Sequence, residues 1–188
     1  MGLVPVNSFT LVLVLAAAFA AVLLQSACDL TRWLCGAQIN LLPALMVYAA
    51  LTCELPVLVL LALFSGLLFD SVSANPLGTM TLALFLPAWL IHLKRGLILR
   101  ELPFARLVLG LAATGATPGI ALLILLSARQ EVLLGWFSLG QWIVLTLLGG
   151  LFTPLLMTAL DAIRNALSYQ REPASSFRAD REIRRGRT

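Results

Sequence analysis

Charge is what this sequence has least of. Only 12% of its 188 residues are Asp, Glu, Lys or Arg, while 60% are hydrophobic; an ordinary soluble domain carries roughly 25% and about 45–50%. A water-soluble chain of this size turns much of its surface outward, so it could not hide that much apolar side chain. Histidine is nearly absent: His92 stands alone, beside Lys94 and Arg95, with no Cys or Ser partner in a recognisable motif. HExxH, GxSxG, Walker and GxGxxG patterns are missing. Cys28, Cys35 and Cys53 are odd in number and lack CxxC spacing, so neither a disulfide framework nor a zinc site is implied. A Cys28–Cys35 bridge outside the cytoplasm stays open. These shortages leave no candidate catalytic, cofactor-binding or metal residues, and the expected activity is non-enzymatic.

What is present is a series of long uncharged stretches, with a mean hydropathy of +0.96. Basic residues gather in a block from Lys94 to Arg106 and in a tail from Arg164 to Arg187. The net charge of +4 does not argue for nucleic acid, because cations at membrane edges mark the cytoplasmic side. Residues 9–27 resemble a secretory signal core. No Lys or Arg precedes them, however, and the apolar run exceeds the usual roughly 7–15 residues, so they read as a retained first span.

The sequence predicts an all-α polytopic membrane protein with about six transmembrane helices in one bundle, residues 1–160. A basic, partly disordered cytoplasmic tail follows, residues 161–188. The spans run Ser8–Ala27, Trp33–Cys53, Leu55–Phe69, Pro76–Leu93, Leu107–Leu126 and Val132–Leu160. Glu54-Leu55-Pro56 is read as a turn, since Pro56 disfavours helix before it and an acid in mid-membrane costs about 2.5–3.5 kcal/mol. One long kinked helix, hence five spans, is the alternative. Thr117-Pro118-Gly119 predicts a kink in the fifth span. The positive-inside rule puts both termini, the Lys94–Arg106 loop and the tail in the cytoplasm. Asp70 and Asp161 then lie on opposite sides of the membrane, which weighs against a carboxylate-pair protease.

Several residues invite a role. Ala16/Ala20 and Ala17/Ala21 form small-xxx-small pairs that would let helices approach closely, or are simply common membrane alanines. Gln38 and Asn40 would make a helix–helix hydrogen bond or line a ligand path. Lys94, Arg95, Arg100 and Arg106 would sit at the membrane surface, where each cation near anionic headgroups is worth about 1 kcal/mol. Asp70 ends the third span beside the start of the fourth, whose free N–H groups favour a carboxylate. Asn75 is expected to cap a helix beginning at Pro76, with Ser73 accepting from the same N–H groups. The cluster Asp70, Ser73, Asn75, Pro76 and Gly78 is therefore either a structural cap or a partner-binding surface built on one.

The stretch Gly66-Leu-Leu-Phe-Asp70-Ser-Val-Ser73-Ala-Asn-Pro76-Leu77-Gly78 resembles the pattern G-x-x-x-D-x-x-S-x-x-P-L-G of the rod shape-determining protein MreD family. Length and span pattern extend the resemblance, while the Arg-rich tail departs from it. The resemblance implies a scaffold in the bacterial inner membrane that binds the bitopic protein MreC within the cell-elongation machinery for rod shape and peptidoglycan synthesis. RodA, its penicillin-binding transpeptidase and MreB filaments would be further partners, along with membrane lipids. The family is also thought to resemble substrate-binding subunits of energy-coupling-factor vitamin transporters, which supplies an alternative function. No cofactor is implied by either reading.

Overall fold

A computed structural model of the chain describes residues 8–27, 40–73, 76–96, 103–128 and 136–169. These fold as six helices, with no strand among the described residues. They are α1 (Ser8–Ala27), α2 (Leu42–Thr52), α3 (Leu55–Val72), α4 (Thr79–Lys94), α5 (Pro103–Ser127) and α6 (Trp136–Tyr169). Three of them, over Leu55–Val72, Phe104–Ser127 and Ser138–Ala166, are long and apolar enough to cross a membrane. The apolar helices Thr10–Ser26, Leu42–Thr52 and Thr79–Lys94 are shorter. By length and composition, then, at least three of the described helices qualify as spans, and α1 is 20 residues long over its whole extent, Ser8–Ala27.

The architecture is organised around its shortest member. Every residue of α2 from Leu42 to Leu51 is buried, and α2 touches all five other helices. Its sequence, LPALMVYAALT, is apolar on every side, which is the pattern of a helix surrounded by protein. The others form an arc around it in the order α1, α3, α4, α5, α6, each packed on the next. Asn40 starts α2 by accepting the Leu42 N–H at 3.0 Å. Of the two polar residues expected inside the second span, Asn40 thus serves a local helix start, and Gln38 lies outside the described residues. At the other end Cys53 and Glu54 are extended, at φ −102° and −79°, and α3 begins immediately after. The chain therefore breaks at Glu54, as Pro56 demands.

The closest helix pairing, α5 on α6, is built from glycine and threonine. A side chain at Gly110 would collide with Thr153, and one at Gly149 would collide with Thr114. Thr114 also donates to the Thr146 carbonyl at 3.3 Å, and the Trp142 indole N–H donates to the Gly115 carbonyl at 3.0 Å. Small residues bring the backbones together and the polar side chains then bond across the seam. α5 continues through Pro118 as one helix. The alanine pairs of α1 divide between two environments. Ala17 and Ala21 pack against the core, beside buried Val14, Ala18 and Val22. Ala16 and Ala20 are exposed, so that pair brings no two of the described helices together.

Two further boundaries differ from expectation. α4 begins at Thr79, not Pro76. α6 runs unbroken to Tyr169, past Leu160, the expected end of the sixth span. The chain after 169 lies outside the described residues.

Candidate functional site

The junction of α3 and α4 is assembled by five residues: Gly66, Asp70, Ser73, Pro76 and Gly78. Gly66 comes first, because a β-carbon there would overlap the backbone of Thr81. Its missing side chain lets the start of α4 lie directly against α3. One turn further along α3, Asp70 then faces the open end of α4. Its carboxylate accepts the Gly78 N–H at 2.7 Å and the Met80 N–H at 3.2 Å from each oxygen. Those N–H groups have no acceptor within the helix, and the positive end of the helix dipole adds to the attraction. Asp70 is only 2% exposed, so its charge is held by these amides in place of water.

Between the helices the chain turns through Pro76-Leu77-Gly78. The Thr79 N–H returns to the Pro76 carbonyl at 3.3 Å. Gly78 takes φ 95°, the value a type II turn requires at its third position and one that a residue with a β-carbon rarely adopts. Ser73 closes α3, its N–H bonded to the Phe69 carbonyl at 2.9 Å. The cap on α4 is therefore supplied by an acid from the preceding helix, eight and ten residues back in sequence. This corrects the expectation of an Asn75 cap before Pro76: Gly78 precedes the first helical residue, and Asn75 lies outside the described residues. Pro76 and Leu77 project outward, Leu77 being 73% exposed.

The opposite end of α4 carries the expected membrane-surface cations. His92 Nδ1–H donates to the Ala50 carbonyl at 3.0 Å, and Arg95 Nη1 donates to the Cys53 carbonyl at 3.2 Å. Both acceptors belong to the C-terminal end of α2, where carbonyls lack intrahelical partners and positive charge is favoured. Across the same end Arg106 pairs with Asp161 at 3.6 Å, and Arg164 and Asp161 of α6 stand beside Tyr48 of α2. Lys94 is exposed, and Arg100 lies outside the described residues. Asp70 meets amides at the N-terminal end of α4, whereas Asp161 pairs with Arg106 of α5.

Reading the sequence alone missed two things here. His92 is not merely interfacial, since it closes α2. Gly66 is what permits the Asp70 contact. The signal for the first was a histidine and an arginine three apart at a helix end, a spacing that puts both on one face. A small cavity of about 80 Å³ lies beside the junction, between α1 and α3, lined by Val22, Gln25, Ser26, Phe69, Val72 and Ser73. No family model matches the sequence, and neither curated proteins nor solved structures provide a match.

Proposed function

We propose that this protein is a non-enzymatic scaffold of the bacterial cell-elongation machinery, holding an MreC-like bitopic partner in the inner membrane. It would cross the membrane six times with both termini in the cytoplasm. The observation that carries this reading is the Asp70 junction. Five of the six residues of the resemblance, Gly66, Asp70, Ser73, Pro76 and Gly78, each have a distinct physical task in one compact structure, and the sixth, Leu77, is exposed. A motif whose members cooperate in this way is better explained by a shared fold than by coincidence. The same junction presents Val72, Pro76 and Leu77 as an exposed apolar rim on a rigid base, a form suited to a partner's helix or ectodomain. The gathering of Lys94, Arg95, Arg106 and Arg164 at the far end supports a cytoplasmic assignment for that end.

The transporter alternative needs a ligand pocket, and such pockets are typically about 300–1,000 Å³. The cavity beside α1 and α3, at about 80 Å³, is below that range, so the transporter reading would have to place its ligand elsewhere. Co-purification from the host membrane tests the scaffold reading. An MreC-like protein should follow the full-length chain, and Leu77→Asp, which leaves the cap intact, should release it. Depleting the protein should turn rods into spheres. Cells that stay rod-shaped but lose uptake of a vitamin would overturn the scaffold in favour of the transporter.

A further inference from the structure

α4 has two faces, and each ends in a cation with a different task. The inward face runs Leu84, Ala88, Ile91, all buried, and finishes at Arg95, which is engaged with the Cys53 carbonyl. The outward face runs Leu86, Leu90, Lys94 at spacings of four, so these side chains follow one another along the helix. Leu90 and Leu93 are 60% and 58% exposed, and Trp89 shares the exposed surface while stacked on Phe85. Lys94, the only lysine in the chain, is exposed at the end of this stripe. Among the described residues no carboxylate pairs with it; the ion pair at this end is Arg106 with Asp161. Arg95 is fixed beside it by one N–H, and a guanidinium carries five.

An apolar stripe about two turns long that ends in an exposed ammonium matches one occupant. We propose that the outward face of α4 binds a phospholipid with a net negative headgroup, its acyl chain along Leu86, Trp89, Leu90 and Leu93 and its phosphate at Lys94 and Arg95. A zwitterionic lipid offers the same chain but brings its own cation toward Lys94. A soluble anion offers the charge without the chain. Neither satisfies both halves of the site. The site rests on the proposed membrane crossing of α4 and not on the scaffold role, so it would persist if no partner co-purified.

Native mass spectrometry of the full chain, released from mild detergent after exposure to defined lipids, tests this. Wild-type protein should retain phosphatidylglycerol in preference to phosphatidylcholine of the same chain length. Lys94→Gln should lower phosphatidylglycerol retention about fivefold, the equivalent of one surface cation, and Lys94→Arg should restore it. Phosphatidylcholine retention should not change in either variant. Among the described residues Lys94 makes no hydrogen bond or ion pair, so unchanged thermal unfolding of Lys94→Gln confirms that the bundle is intact. Equal retention of the two lipids, an unaltered preference in Lys94→Gln, or displacement of the lipid by excess glycerol phosphate would each overturn the proposal.

Discussion

At its N-terminus α4 receives a carboxylate from α3, and at its C-terminus it lends an imidazole and a guanidinium to α2. Both contacts satisfy backbone groups that a helix cannot satisfy for itself, and both put the sign of charge that the local dipole favours. They differ in how far water is excluded. Asp70 is sealed in by the close passage of Gly66 against Thr81. His92 and Arg95 are half-buried, and a neighbouring water can replace them. The lesson is that equal hydrogen-bond geometry does not mean equal energy: the sealed end should be the costly one to disturb.

The comparison can be broken from either end. The largest effect is expected from Gly66→Val, which drives a branched side chain into the Thr81 backbone and also lifts Asp70 off its donors. Overpacking alone costs about 1–3 kcal/mol, so the loss should reach at least about 3 kcal/mol, seen as a lowered unfolding temperature and poor recovery of monodisperse protein. Next comes Asp70→Ala, which strands two amides and should cost about 2 kcal/mol. Asp70→Asn should cost roughly half that, since its amide oxygen still accepts one bond. Amide hydrogen exchange at Gly78 and Met80 should accelerate in the same order.

At the basic end, Arg95→Ala should cost about 1 kcal/mol. Its clearer mark is at Cys53, which is 6% exposed beneath that contact. With Cys28 and Cys35 replaced by serine, maleimide labelling should be slow in the parent and several-fold faster in Arg95→Ala. An Arg95→Ala loss larger than that of Asp70→Ala would reverse the ranking of the two ends. The smallest change belongs to Asp161→Asn. Its pair with Arg106 is long and partly exposed, so unfolding should shift by less than about 0.5 kcal/mol.

Local chemistry made part of this legible in the sequence. Pro56 announced the break at Glu54, uninterrupted apolar character announced α1, and an acid near the end of α3 foretold its meeting with α4. What escaped were relations between distant residues. Nothing in the apolar run Leu42–Leu51 distinguishes a helix buried by protein from half of a membrane span, because periodicity is silent when every face is apolar. The Asn75 cap looked sound by local preference, yet the tertiary contact of Asp70 supplies the acceptor. Alanine spacing drew attention to α1, whereas the tight seam lies where Gly110 and Gly149 meet threonines of the partner helix. Small-residue spacing gives a permissive face, and only the fold determines which one is used.

The central position of α2 also bears on the order in which the protein can be assembled. Its described length of about 16 Å is less than a bilayer core of about 30 Å, so the proposed second crossing would need the residues before Asn40 as well. The helix emerges from synthesis before α5 and α6, which cover two of its sides. Until they arrive, α2 has only α1, α3 and α4 to hold it, and its Tyr48 flank waits for Arg164. The C-terminal half thus acts as a latch: chains that stop before α6 would carry an unseated central helix into the membrane's quality control.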